Sequence, residues 1–314
     1  MIIMINWGII GLGRMGLTFA NAVDETTNSK LHSIGSSSKK KFKNFSLSSY
    51  EDVIYSKNID AIYISTLNNT HMDLISKIYK TEKKILCEKP LTISHSELMN
   101  LKDKITDKNK IFEAIAYYSH PLIFKLLEII NNDEIGEVRM IECFAGFKAK
   151  LKPNSRIFSK ELGGGVVFDL GCYPLSFFML FTKDINKIKL ETKNLKFAST
   201  KVDSDAIAEL NYNNEIKGKI RVSFEENLES VCKIYGSKGE IRIKDPWIPR
   251  EDSIIEINNN KNHYYIKNVK SKISVMANQI QNVSEKFLNK DFKTNLFDIE
   301  KSLNCSRLIN EWLR

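Results

Sequence analysis

Two separated groups of residues in this chain have the types and spacing to share a proton transfer and to hold the charge it creates. One is Lys89, in Glu88-Lys89-Pro90; the other is Asp169 with Tyr173, inside Glu161-Leu162-Gly163-Gly164-Gly165-Val166-Val167-Phe168-Asp169-Leu170-Gly171-Cys172-Tyr173-Pro174. A free phenol ionises near pH ~10, too high for ready proton exchange at neutral pH. A nearby ammonium stabilises its phenolate, so a tyrosine beside a lysine can serve as general acid or base, while the lysine steadies a developing alkoxide. Spaced i and i+4, Asp169 and Tyr173 are expected on one face of a helix. Taken singly, each has a plainer reading: a surface lysine, a helix-start charge, a core aromatic.

A third motif could hold a redox partner for that chemistry. Gly8-Ile9-Ile10-Gly11-Leu12-Gly13-Arg14-Met15-Gly16 follows the apolar run 1–7 and precedes the helix-like residues 17–23. In this context Gly11 permits a tight turn, Gly13 lets backbone approach a pyrophosphate, and Gly16 packs the helix on the strand, with free N–H groups facing the anion. Gly11, Leu12, Gly13, Arg14, Met15 and Gly16 are therefore candidate cofactor contacts. The second strand, 30–35, runs into Ser36-Ser37-Ser38-Lys39-Lys40 with no carboxylate. A ribose 2′-OH calls for Asp or Glu there, whereas a 2′-phosphate suits hydroxyls and lysine. Ser36, Ser37 and Lys39 thus favour NADP, with NAD as the alternative; a solvated Ser/Lys loop is the plainer reading.

The elements that must position these groups alternate through the first half. Strands are expected at 59–65, 84–87 and 110–114, with helices at 48–57, from an opening at 66–71 to about 80, and at 94–105, the last capped by Ser94 with Glu97. That alternation predicts a Rossmann-type, doubly wound parallel sheet, an α/β domain over residues 1–118, whose ligands lie beyond the carboxyl ends of the strands. Thr66, Asn68, His71, Glu88 and Lys89 lie at or just past such ends and are candidate cofactor contacts. The stretch 117–121 is the crossover, where His120 either orients a substrate or caps the next helix. After a helix to about residue 131 and a strand at 137–144, strands are expected at 188–197, 205–212, 215–224, 230–235, 240–244 and 253–257, with turn residues between them. Residues 119–314 are expected to form a second α+β domain on a large, mainly antiparallel sheet. Its apolar face would be covered partly by helices and partly by another subunit. Candidate substrate contacts are His120, Asp169, Tyr173 and Arg156, the last in the stretch 148–159.

Bulk properties narrow the classes further. At 314 residues the chain exceeds the usual size of one core, so two domains are the natural expectation. The net charge of +9 is spread along the sequence and argues little about nucleic acid, and no nucleic-acid partner is expected. Cys87, Cys143, Cys172, Cys232 and Cys305 are far apart with no Cys-x-x-Cys pair, a pattern of reduced, individually packed thiols in a cytoplasmic protein, with no metal site. The apolar run 166–181 is broken by Asp169, Gly171 and Pro174, so no membrane span is expected.

Taken together, Gly11-x-Gly13-x-x-Gly16, Ser65-Thr66-x-Asn68-x-x-His71, Glu88-Lys89-Pro90, Glu113-Ala114 with His120-Pro121, the glycine-rich run ending in Tyr173, and Tyr235-Gly236-Ser237-Lys238-Gly239-Glu240-Ile241 resemble the Gfo/Idh/MocA oxidoreductase family over nearly the whole chain. With Tyr173 in place of histidine, the sequence is similar to the branch of trans-dihydrodiol dehydrogenase, D-xylose dehydrogenase and glucose-fructose oxidoreductase. The resemblance implies a Rossmann domain with an open-faced sheet domain, nicotinamide-dependent oxidation or reduction of a sugar-like or diol substrate, usually with NADP, and frequent dimerisation through the sheet. It also implies that Lys89 and Tyr173 are the catalytic pair, with Asp169 orienting substrate. Alternatives are a nucleotide-sugar oxidoreductase of glycan synthesis and a catalytically idle cofactor-binding regulator. Tyr118-Ser119 stands where those relatives often carry Arg-Phe, so no particular substrate is carried over.

Overall fold

The structure, a computed structural model, describes residues 3–37, 42–43, 45, 47–259 and 263–314. Lys39, expected at the 2′-phosphate, lies outside the described residues. By packing, the chain forms two units: Met1–Ser119 with Lys272–Ser302, and His120–Ser271 with Leu303–Arg314.

The first unit alternates as its apolar periodicity requires: β1 (Ile5–Ile10), α1 (Arg14–Ala22), β2 (Ser29–Gly35), β3 (Leu47–Ser48), α2 (Tyr50–Tyr55), β4 (Ala61–Ile64), α3 (His71–Tyr79), β5 (Lys84–Cys87), α4 (His95–Lys102) and β6 (Ile111–Glu113). Ser94 caps α4 by accepting from the Glu97 N–H, while the reciprocal capping box forms at Ser49 and Asp52 of α2. The second unit begins with α5 (Pro121–Asn131) and β7 (Val138–Gly146), then α6 (Cys172–Met179). Strands follow: β8 (Ile188–Phe197), β9 (Asp203–Tyr212), β10 (Ile216–Ser223), β11 (Val231–Gly236), β12 (Gly239–Lys244), β13 (Asp252–Asn259) and β14 (His263–Lys270). The chain then returns to the first unit with α7 (Val275–Leu288) and β15 (Phe297–Asp298), and α8 (Ile299–Trp312) ends it.

In the first unit the strand order is β15-β6-β5-β4-β1-β2-β3, with all pairs parallel except β15 against β6. Ile10, Ile64, Cys87 and Glu113 lie in register across β1, β4, β5 and β6, so residues distant in sequence finish in one row at the carboxyl edge. The order reverses between β1 and β4, the crevice where open α/β sheets hold ligands. Beneath the sheet, Phe19 of α1 stacks on Tyr63 at 4.0 Å and meets Trp7 edge-on at 5.2 Å. Such aromatic pairs are worth about 0.5–1.5 kcal/mol beyond their burial.

A single domain cut at 118/119 is corrected by α7. Met276, Ala277, Ile280 and Val283 join the core of the first unit, Trp7 Nε1 donates to Ser284 Oγ at 3.0 Å, and Ser284 Oγ meets Ser29 Oγ at 2.7 Å. The apolar face of α7 and the polar end of a buried tryptophan find partners in the same place.

In the second unit the strand order is β14-β13-β12-β11-β7-β10-β9-β8, antiparallel except where β10 runs parallel to β7. Residues 160–179 are long and apolar enough to cross a membrane by length and composition, but 78% of that window is buried inside the protein; it is core. All five cysteines are free and buried. The expectation of individually packed thiols fails for Cys143 and Cys232, which face each other across β7 and β11 with sulfurs 2.9 Å apart. Strand register, invisible in cysteine spacing, opposes them.

Candidate active site

The glycine loop divides its labour among three positions. Gly11 has φ +97°, and a Cβ there would lie 2.8 Å from Ser65 O; both the turn and the approach of β4 demand glycine. A Cβ on Gly16 would lie 2.2 Å from Gly11 O, whereas one on Gly13 would meet nothing within 4 Å. No protein atom explains the missing side chain at Gly13, which is exposed and precedes α1. It is a cradle that a Cβ would fill, at a helix start with no side-chain cap and no acidic residue in its first turn. That is what a pyrophosphate needs. Arg14 is exposed, while Leu12 and Met15 turn their side chains onto the core. Across the switch point, Ser65 Oγ donates to Gly11 O at 2.7 Å and ties the two strand ends together. At the end of β2, Ser36 N–H donates to Ser48 O at 3.2 Å and Ser37 is exposed.

The strand-end turn carrying Lys89 is held from several sides. Tyr63 OH donates to the Glu88 carboxylate from β4. His71, wholly buried on α3, has Nδ1 2.9 Å from Pro90 O and Nε2 3.4 Å from Thr66 O. Both ring nitrogens thus face main-chain carbonyls, and burial holds the imidazole below its ordinary range. This histidine, expected among the cofactor contacts, clamps two loops together. Thr66 and Thr70 share a hydroxyl contact of 2.7 Å, and Asn68 is buried in the same turn. Beneath Lys89, the Glu113 carboxylate accepts the Leu91 N–H at 3.0 Å. Burial pushes Glu113 up to about 7, opposed by contacts with Ser302 and Leu91 and by the field of Lys89, and reinforced by Glu88.

In the second unit, the glycine run folds loop 155–159 onto the start of the next helix. Gly164 N–H donates to Ser159 O at 2.8 Å and Gly165 N–H to Ile157 O at 3.0 Å. Gly165 sits at φ +121°, with its missing Cβ 2.1 Å from Asp203 Oδ1. The weave brings Arg156 to Asp169, Nη2 donating to Oδ1 at 2.9 Å. A π-helical turn, Val167–Gly171, then leads into α6, a local irregularity often found at functional sites. The expected common face for Asp169 and Tyr173 divides its neighbours: Asp169 meets Arg156, and Tyr173 stacks on Trp247 at 5.9 Å and 21°. His120 is wholly buried, and its Nδ1 accepts the Leu122 N–H at 3.1 Å, capping α5. Burial pushes its imidazole down to about 4, against a smaller opposing pull from the Arg250 main chain. The cap, one of the two readings for His120, is formed.

Residues 5–115 match the oxidoreductase family with an NAD-binding Rossmann fold, and residues 123–242 match the GFO/IDH/MocA C-terminal domain. The chain belongs to the Gfo/Idh/MocA oxidoreductase family. A trans-1,2-dihydrobenzene-1,2-diol dehydrogenase of Xenopus tropicalis is 27% identical over 256 residues, covering 77% of this chain and 76% of its own length. D-xylose 1-dehydrogenase (NADP(+)) 2 of Haloferax volcanii is 28% identical over 194 residues, 62% of this chain and 59% of its own. An aldose-aldose oxidoreductase from Caulobacter crescentus, solved with glycerol, superposes with a TM-score of 0.86 at 16% identity, covering 99% and 97% of the two chains. KijD10, a 3-ketoreductase from Actinomadura kijaniata solved with NADP and TDP-benzene, gives 0.84 at 18% identity, covering 98% and 96%. At those identities the likeness is one of fold.

In this Gfo/Idh/MocA chain, Lys89 belongs to the first unit, while Arg156, Asp169 and Tyr173 belong to the second. Glu113 and Asp203 did not stand out in the sequence. Asp203 Oδ2 accepts the Val167 N–H at 2.6 Å, and its carboxyl is raised by burial against the pull of the Val167 and Val166 N–H groups. A charged residue closing a strand that otherwise reads as apolar, as Glu113 does after Ile111-Phe112, was the available signal.

Proposed function

We propose that the protein is an NADP(H)-preferring dehydrogenase or reductase acting on a CH–OH group or the corresponding carbonyl of a sugar-like or diol substrate. The observation that carries this reading is Gly13: an absent side chain that no neighbouring protein atom requires, at the uncapped start of α1. Gly11, Gly13 and Gly16, with backbone of Leu12, Arg14 and Met15, would hold the pyrophosphate. Ser36 and Ser37 at the end of β2, with Lys39, would take a 2′-phosphate, which favours NADP over NAD.

When bound, the nicotinamide accepts or delivers the hydride. Tyr173 exchanges the proton on the substrate oxygen. Lys89 stabilises the phenolate and the developing alkoxide, and Asp169, held by Arg156, orients the substrate. The stack of Tyr173 on Trp247 fixes the ring carrying the reactive hydroxyl. Relatives named as diol and D-xylose dehydrogenases support a polyol-like substrate.

Two further parts belong to this reading. On β13 and β14, Ile254, Tyr264 and Ile266 are exposed on one face of the sheet, which supports a homodimer covering it. Free thiols at all five cysteines support a reducing compartment, the cytoplasm.

The test is a titration of purified protein with NADPH and NADH, followed by turnover assays on a panel of pentoses, hexoses, diols and keto-sugars. Tighter NADPH binding with turnover on at least one substrate is expected. Equal affinities, or a preference for NADH, would remove the NADP assignment; cofactor binding without turnover on any of them would point to a regulator.

A further inference from the structure

Glu113 is an expensive residue to keep. It ends β6 between β5, where it pairs with Cys87, and β15, where it pairs with Phe297, and it is 3% exposed. Within the turn it accepts the Leu91 N–H at 3.0 Å. A neutral amide or hydroxyl could accept that N–H without the desolvation cost of a carboxylate. A charge is retained at such a place when another charge needs it, and the cation whose field reaches Glu113 is Lys89.

The surroundings single out the same pair. Glu88 accepts from Tyr63 OH, so one of its oxygens is already engaged from β4. The Cys87 thiol is raised by burial and by both Glu88 and Glu113, so it stays protonated and adds no charge. From α8, Ser302 faces the carboxyl. From α3, His71 reaches Pro90 O and Thr66 O, and burial keeps it low. Among the described residues, the charged or titratable groups that act on Glu113 or feel it include Lys89, Glu88 and the protonated Cys87 thiol.

We infer that Glu113 is a positioning residue for Lys89: its carboxylate pins the Lys89-Pro90-Leu91 turn through the Leu91 N–H and supplies a buried negative charge for the Lys89 ammonium. The inference rests on the proposed role of Lys89 in oxyanion stabilisation. It makes the ammonium at the strand end depend on a neighbour one strand away, with the register of β5 and β6 as the connection.

Glu113→Gln separates the two tasks, since the amide oxygen still accepts the Leu91 N–H while the charge is gone. Turnover on a working substrate, measured from pH 6 to 10, is expected to show its alkaline limb about one pH unit lower than in the wild type. NADPH affinity is expected to stay within about twofold. Reductive methylation with ¹³C-formaldehyde gives a readout independent of activity. The Lys89 dimethylamine resonance, assigned by its absence in Lys89→Ala, should titrate about one pH unit lower in Glu113→Gln. Should Glu113→Gln fold poorly, Glu113→Asp, which keeps the charge, is expected to keep the wild-type Lys89 titration. A purely structural Glu113 would leave the alkaline limb and the Lys89 resonance unmoved in Glu113→Gln, and that result overturns the inference. Lys89→Ala distinguishes the two levels: loss of turnover beside an unchanged Glu113→Gln profile removes this inference alone, while full turnover in Lys89→Ala removes the role of Lys89 and the inference with it.

Discussion

Arg156 donates to Asp169 at 2.9 Å, joining a half-exposed guanidinium to a carboxylate whose side chain is only 11% exposed. The loop carrying Arg156 reaches that carboxylate only because Gly164 lets the chain pass close to residues 156–159. Arg156→Met is expected to leave Asp169 misdirected and to lower kcat/KM by about tenfold, chiefly through KM, with a stability loss of about 1 kcal/mol because the arginine is partly screened by water. Steady-state kinetics check this; a change confined to kcat contradicts a substrate-orienting pair.

Tyr173→Phe keeps the ring and its stacking on Trp247 but removes the hydroxyl. It is expected to lower turnover by about 10²–10⁴-fold with little change in NADPH affinity, and Lys89→Ala by a similar order. Because both serve one proton transfer, the double variant should lose far less than the product of the single losses. Near-normal turnover in Tyr173→Phe, with a deuterium isotope effect showing hydride transfer to be rate-limiting, would remove Tyr173 from the reaction.

The glycine loop offers a contrast between two alanine substitutions. Gly13→Ala places a methyl where no protein atom lies within 4 Å, so thermal stability should hold while NADPH affinity drops at least about tenfold. Gly16→Ala sets a methyl 2.2 Å from Gly11 O and should destabilise the fold itself, by roughly 1–3 kcal/mol. Calorimetry and cofactor titration on both proteins decide it. Unchanged NADPH affinity in Gly13→Ala would mean that the open space is not the phosphate cradle.

His120 and Glu113 titrate against folding in opposite senses. Burial lowers His120 from 6.5 to about 4, so the unfolded chain takes up its proton first. The stability linked to it is complete above pH 6.5 and is lost as pH falls through about 4, a total of about 3 kcal/mol. Burial raises Glu113 from 4.5 to about 7. Its contribution is complete below pH 4.5 and is lost as pH rises through about 7, by a similar amount. His120→Asn, which keeps a capping side chain, should flatten the acid-side loss, and Glu113→Gln the neutral-side one. Urea unfolding from pH 4 to 8 checks both; a variant curve parallel to the wild type over its window contradicts that assignment.

The exposed apolar face of β13 and β14 leads to an expected dimer at micromolar concentration by light scattering. Ile266→Lys with Ile254→Lys should shift the mass toward the monomer without altering the fold, since both side chains are about half exposed. A monomeric wild type contradicts the covered face.

What the sequence disclosed was mostly what one segment can carry by itself. The glycine loop, the strand ends at Asn68 and Lys89, and the run ending in Tyr173 bring their own turn chemistry and apolar periodicity. Features that depend on register or on chain return did not show. Cys143 opposes Cys232, and Glu113 sits beside Cys87, only once strands are aligned. The capping role of His120 rests on which main-chain N–H its ring nitrogen meets, a matter of distance. Residues 275–288 form an amphipathic helix that either sheet could have accepted, and the buried Trp7 Nε1 and its Ser284 partner decided the choice.

The nucleotide-holding unit is consequently inherited in two pieces of gene. The match over 5–115 carries every glycine of the loop, yet Trp7 and Ser29 find their hydrogen-bond partner in Ser284, 277 and 255 codons downstream. A recombination that swapped only the upstream segment would deliver the loop and leave its underside bare. Among descendants of this chain, changes at Trp7, Ser29 and Ser284 should therefore arise in concert, and exchanges that succeed should involve both segments or neither.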